Sequence, residues 1–139
     1  MLDFNGTLAI DGRLIAGVKT RLHRLAASAV VHVITADTYG KARASLHGVH
    51  CSLEILKRGG EDRAKAALVR RLGSGSVACI GNGRNDRLML RTAALGIATL
   101  QREGAALEAV KAADIVVHDV RDALDLLLES RRLLATLRS

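Results

Sequence analysis

Near the start of the chain, Leu2-Asp3-Phe4-Asn5-Gly6-Thr7-Leu8 places an apolar residue, a carboxylate and an amide just ahead of a Gly-Thr turn. A carboxylate fixed at the end of a short strand can attack phosphorus in line. The acyl phosphate it forms splits one hard hydrolysis into two easier steps. Asp3 has the residue type and position for that work. Taken alone, the same residues also read as a surface acid followed by a plain turn.

The elements that would hold such a nucleophile follow from the periodicity of the chain. Leu2-Asp3-Phe4 reads as a clipped first strand, followed by a loop through Asp11-Gly12. Val18, Leu22, Leu25 and Ala26 recur at helix spacing, with Lys19, Arg21 and Arg24 on the other side. Ala29 to Ile34 is a β-branched run with little alternation, as expected of a strand covered on both faces. A second helix over Tyr39 to Leu46 leads to a strand near His50 to Leu53. A third helix, capped by Asp62, runs to Leu72. Val77 to Ile80 is a strand that runs into Gly81-Asn82-Gly83-Arg84-Asn85-Asp86, and the helix after it carries Leu88 to Ala94. Gly96 to Leu100 and Ile115 to Val117 are strand-like, Ala105 to Ala112 is helical, and one long Leu-rich helix begins at Asp122. This alternation predicts a single α/β domain over 1–139, an open parallel sheet with helices on both faces. Ligands of such sheets bind at the strands' carboxyl ends, where the loops after Phe4, Ile34 and Ile80 converge.

Asp3-Phe4-Asn5-Gly6-Thr7, Thr35-Ala36-Asp37, Lys65 and Gly81-Asn82-Gly83-Arg84-Asn85-Asp86 occur in this order along nearly the whole chain. Together they resemble the four motifs of the haloacid dehalogenase superfamily, and most of all its soluble members similar to the phosphorylation domain of P-type ATPases. The resemblance implies a Rossmann-like core and a phosphohydrolase working through an aspartyl-phosphate. It implies Asp3 as nucleophile, Asn5 at the acid-base position, and Thr35 and Lys65 on the phosphoryl oxygens. Gly6, Ala36 and Asn85 complete the implied phosphate cradle, and Mg²⁺ would be held by Asp3, the backbone carbonyl of Asn5, Asn82 and Asp86. Positioning and electrostatics do most of the work in phosphoryl transfer, which explains the hydroxyl and the ammonium. Magnesium prefers oxygens from one or two carboxylates, water and phosphate.

Two positions depart from that pattern. The superfamily's phosphatases carry an acid where this chain has Asn5, and an amide cannot shuttle a proton; losing such a group costs on the order of 10² to 10⁴ in rate. Asn82 stands where an anionic metal ligand is usual, so Mg²⁺ should bind more weakly. Slow turnover is the expectation, and its alternative is a degenerate binding or regulatory domain that keeps the fold. Singly, Lys65 also reads as a solvated helix residue and Asp86 as a helix cap. Arg84 brings a cation that could repel the metal or grip a phosphate. Only 27 residues lie between Thr7 and Thr35 and 29 between Thr35 and Lys65, which leaves no room for a cap domain. The open site suggests a homo-oligomer or a large phosphorylated substrate.

Composition limits the other readings. The chain is 49% apolar and 25% charged, far from the signature of disorder, and it has one Phe, one Tyr and no Trp. The net charge of +7 raises a nucleic-acid partner, but the basic residues are scattered at helical spacing and no aromatic platform accompanies them. Cys51 and Cys79 lie in apolar runs without ligand spacing and read as reduced thiols. No charge-free stretch reaches the roughly 20 residues of a membrane helix, and no signal peptide is visible. A soluble, cytoplasmic setting is expected.

Overall fold

In the computed structural model, residues 1–138 are described. The chain runs β1 (Leu2–Asp3), β2 (Ala9–Ile10), β3 (Arg13–Leu14), α1 (Val18–Ala26), β4 (His32–Thr35), α2 (Ala42–Ser45), β5 (Ser52–Ile55) and α3 (Glu61–Leu72). It continues through β6 (Ala78–Gly81), α4 (Arg87–Thr92), β7 (Leu95–Thr99), α5 (Leu107–Ala112), β8 (Ile115–Val117), α6 (Val120–Leu128) and α7 (Ser130–Leu137). Six strands form one sheet in the order β5-β4-β1-β6-β7-β8, and every pairing in it is parallel. The expected open parallel sheet is therefore present.

Side chains alternate across a strand, and both faces here are covered. Val33 packs with Leu22, Leu25 and Leu124 on the α1 and α6 side. Its neighbour Ile34 packs with Leu68, Val69, Met89 and Leu90 under α3 and α4. Both are fully buried, which is why the run lacks a polar alternation. The short first strand lies in the middle of the sheet, with Leu2 paired to Val33 on one side and Ile80 on the other. Two residues suffice there because their neighbours close over both edges.

Several sequence-based boundaries are corrected. β4 starts at His32, not Ala29, and Val30 is exposed. β5 lies slightly later than expected, at Ser52–Ile55. The second helix is only the four residues Ala42–Ser45, because Asp37 and Gly40 take positive φ and turn the chain. Gly60, not Asp62, occupies the N-cap position of α3; Asp62 instead accepts from Arg87 Nη2 at 2.6 Å. The long C-terminal helix is two helices broken at Glu129, where ψ is 72°.

The loop through Asp11-Gly12 is the tip of the antiparallel β2-β3 hairpin. Both residues have positive φ, 52° and 72°, which a two-residue hairpin turn of this kind requires. Among the described residues this hairpin and the short elements between β4 and α3 are all that interrupts the core near the site, and no cap domain is present. No helix is long and apolar enough to cross a membrane among the described residues.

Candidate active site

β1, β4 and β6 run side by side, so the loops that follow them leave the same edge of the sheet. The chain moves from β1 out to β4 and β5 on one side and to β6, β7 and β8 on the other. Such a switch point leaves a crevice at the strands' carboxyl ends. Asp3, the last residue of β1, sits there and is 6% exposed.

Lys65 reaches Asp3 from α3. The buried face of that helix carries Lys65, Ala66, Leu68 and Val69, so the apolar stripe that anchors it also directs the lysine into the core. Its Nζ donates to Asp3 Oδ1 and to Asp86 Oδ1, each at 2.6 Å. The other Asp86 oxygen accepts from the backbone N–H of Asn82 at 3.0 Å and of Gly83 at 2.8 Å. Asp86 thus ties the glycine loop after β6 to the ammonium, and it is more than a cap of α4.

This arrangement shifts the titration of Asp3 and Lys65. Burial pushes the Asp3 carboxyl up to about 7, the nearby Asp86 charge adds to the rise, and Lys65 opposes both. For Lys65, burial works against the charged form, but the charges and hydrogen bonds of Asp3 and Asp86 outweigh it and hold its pKa above the ordinary value. The ammonium stays charged, and Asp3 is the group poised to titrate near neutrality.

The turn after Asp3 is held by two amide side chains. The Thr7 hydroxyl donates to Asn82 Oδ1 at 3.2 Å, while Asn82 Nδ2 donates to the Gly104 carbonyl at 3.0 Å. Gln101 Nε2 donates to the carbonyls of Gly6 at 2.8 Å and Thr7 at 2.6 Å. Gly6 has φ 76°, and a Cβ there would lie 2.4 Å from Asn82 Nδ2, so glycine is needed for the approach. Gln101 escaped the sequence reading. It lies in no motif and no periodic pattern, and only the folded chain brings it to Gly6.

The remaining expected residues are close in topology. Thr35 ends β4 one position past Ile34, the register partner of Asp3, and its Oγ1 accepts from the Asp37 N–H at 2.9 Å. Thr35 is 1% exposed, whereas Ala36 and Asn85 are partly open to solvent. Asn5 Oδ1 is buried without a hydrogen-bond partner. Arg84 turns outward and pairs with Glu108 Oε1 at 2.9 Å. No cluster of three or more His, Cys, Asp and Glu side chains forms among the described residues. The donor set still fits a hard cation of the Mg²⁺ type, which needs only one or two carboxylates. Asp3 and Asp86 are the carboxylates that would supply these, and the Asn5 Oδ1 is a buried oxygen with no hydrogen-bond partner.

No protein-family model matches the chain. Uncharacterized protein MJ0073 of Methanocaldococcus jannaschii is 44% identical over 86 residues, which cover 59% of this chain and 92% of that protein. Among solved structures, the 3-deoxy-D-manno-octulosonate 8-phosphate phosphatase of Moraxella catarrhalis, in complex with magnesium, phosphate and KDO, superposes with a TM-score of 0.75. It is 16% identical, covering 99% of this chain and 91% of its own. A zinc-transporting PIB-type ATPase gives a TM-score of 0.69 at 24% identity, over 88% of this chain and 20% of the pump. Both likenesses are likenesses of fold, and the fold they share with this chain is that of the haloacid dehalogenase superfamily.

Proposed function

We propose, for a chain that belongs to the same family as protein MJ0073 and has the haloacid dehalogenase fold, a Mg²⁺-dependent phosphohydrolase acting through an aspartyl-phosphate. The observation that carries this reading is the buried Lys65 ammonium held 2.6 Å from both Asp3 and Asp86 at the sheet's carboxyl edge.

In this reading Asp3 attacks phosphorus as the carboxylate, with the Asp3–phosphorus bond forming as the ester oxygen leaves. Lys65 and the Thr35 hydroxyl hold phosphoryl oxygens, and the Gly6, Ala36 and Asn85 region closes around them. Positive charge already in place at Lys65 costs no reorganisation during transfer. Asp3, Asp86 and the Asn5 and Asn82 oxygens would hold Mg²⁺, which supplies charge neutralisation at the phosphoryl group when bound. Asn5 cannot deliver a proton to the leaving oxygen or take one from water. Turnover is therefore slow, and activated esters with good leaving groups are the best substrates.

The test is hydrolysis of p-nitrophenyl phosphate with and without Mg²⁺ by the native chain and by Asp3→Asn. Slow, Mg²⁺-dependent release that Asp3→Asn abolishes is expected. Equal rates in the two proteins would sink the proposal. Asn5 also favours a second reading, a phosphate-binding domain without turnover, and that reading is supported if phosphate binds while no Asp3-dependent hydrolysis is seen.

A further inference from the structure

The rim of the crevice is not uniform in charge. On the β4-β5 side, Thr35 pairs with Ile55, and the Leu56 N–H donates to the Thr35 carbonyl at 2.8 Å. The two chains therefore leave the sheet side by side, one as Ala36-Asp37 and the other as Leu56-Lys57-Arg58. Adjacent strands lie roughly 5 Å apart, so Lys57 emerges beside the turn that follows Thr35. That turn folds back at once, and the Lys41 N–H donates to Asp37 Oδ1 at 3.0 Å. The Lys41 stem lies over the hairpin tip, where a Cβ on Gly12 would meet its Cδ at 3.1 Å.

Lys41, Lys57 and Arg58 are all exposed, and none makes an ion pair among the described residues. The nearest carboxylate in the turn, Asp37, is already engaged, since its Oδ1 also accepts from the Ala42 N–H at 3.0 Å. The opposite rim differs. There Arg84 is paired with Glu108, and Glu103 Oε1 accepts from the Asp11 N–H at 3.1 Å. Arg102, beside Glu103 on that rim, is exposed and without an ion pair among the described residues, so the contrast is one of number: three unpaired cations follow β4 and β5 against one there.

We propose that this rim is a second anion subsite and that the substrates are phosphate monoesters carrying another anionic group, a carboxylate or a second phosphate, held by Lys41, Lys57 and Arg58. The proposal rests on the phosphohydrolase reading, with Thr35 at the reacting phosphoryl group. An open crevice without a cap leaves the second anion free to reach the rim. Because the three cations are solvated, the subsite discriminates by charge and weakens with salt.

Glycerol 3-phosphate, 3-phosphoglycerate and 2,3-bisphosphoglycerate share a three-carbon skeleton and differ in added anions. Calorimetric binding to Asp3→Asn and kcat/KM of the native chain are measured for each at low and high salt. Affinity and kcat/KM are expected to rise along the series by about tenfold or more, equivalent to about 1.4 kcal/mol. In Lys57→Glu/Arg58→Glu the ratio between bisphosphate and monophosphate should collapse. A carboxylate-specific subsite would place the main step at 3-phosphoglycerate, and a phosphate-specific one at the bisphosphate. A flat series, or a ratio that survives charge reversal, overturns the subsite. Charge-dependent binding without Asp3-dependent turnover of any of the three overturns the phosphohydrolase reading and leaves the subsite standing.

Discussion

Lys65 Nζ lies 2.6 Å from Asp86 Oδ1, and both side chains are completely buried. Asp86 is fixed in turn by two backbone N–H groups, so the carboxylate is held in place and the lysine is centred by it. A buried charge depends on its partners, because removing one leaves the others uncompensated in a poor solvent for ions. The first prediction follows from that dependence. Lys65→Met, which keeps most of the volume, leaves Asp3 and Asp86 facing each other without a cation. Urea denaturation at neutral pH should show a loss of about 3 to 5 kcal/mol. A change below about 1 kcal/mol would mean that the triad is solvated in a way the burial contradicts.

Asp3 gives a pH dependence with a definite sign. Its pKa is raised from 3.8 to about 7 by burial and by Asp86, so the folded chain holds a proton that the unfolded chain releases near pH 4. The contribution of Asp3 to stability is then most favourable below pH 4, declines as pH rises through about 7, and levels off above. Asp3→Asn removes this decline. In metal-free buffer with chelator, the stability of Asp3→Asn relative to the native chain should rise between pH 4.5 and pH 7.5, by at most about 4 kcal/mol. A relative stability that is flat across this window would show that Asp3 ionises freely. Adding Mg²⁺ should favour the carboxylate and reduce the difference.

The third prediction concerns Gln101, which sits at φ 44°, a region costly for residues other than glycine, while its amide holds two carbonyls of the turn after Asp3. Backbone strain and side-chain bonding pull in opposite directions here, and two variants separate them. Gln101→Leu loses the donors and keeps the strain, so thermal denaturation should show about 1 to 3 kcal/mol of destabilisation. Gln101→Gly loses the donors but relaxes the backbone, and should recover about 1 kcal/mol relative to the Leu variant. Equal stabilities in the two variants would remove backbone strain from the account.

The sheet was legible because its strands are apolar runs punctuated by Gly, Asp and Asn, and because the four motifs arrive in order. Asp3, Lys65 and Asp86, grouped by the resemblance, are joined through the Lys65 ammonium. Residues whose role depends on two-sided context were not legible. Asp62 has an ordinary capping residue type, but Arg87, brought near by the α3–α4 packing, claims its carboxylate. Arg84 sits in a motif loop, yet Glu108 from the next helix draws it outward. The hairpin at Asp11-Gly12 did carry a local signal, the two-residue Asp-Gly turn between Ala9-Ile10 and Arg13-Leu14. Its strands of two residues each are too brief for any periodicity to show. The break at Glu129 has no glycine or proline to mark it, only the polar run Glu129 to Arg132 between Leu128 and Leu133.

The last prediction turns on Asn5. Its Oδ1 is buried and unpartnered, and the proposed reaction at Asp3 needs a proton delivered to the leaving oxygen and later removed from water. An amide offers neither, so the deficit is chemical and not one of position. Asn5→Asp is nearly isosteric and puts a titratable carboxyl at the same place, two residues beyond Asp3. Another acid beside Asp3 and Asp86 adds like charge, which Lys65 alone compensates poorly, so the variant should be less stable than the native chain without metal. With Mg²⁺ present, kcat on an ester with a poor leaving group should rise by about 10² to 10⁴, the usual worth of general acid-base catalysis. The gain on p-nitrophenyl phosphate should be smaller, because its leaving group needs little proton help. A uniform gain on both esters would point to tighter metal binding as the cause. No gain on either, with the fold intact by circular dichroism, would show that proton transfer does not limit this site.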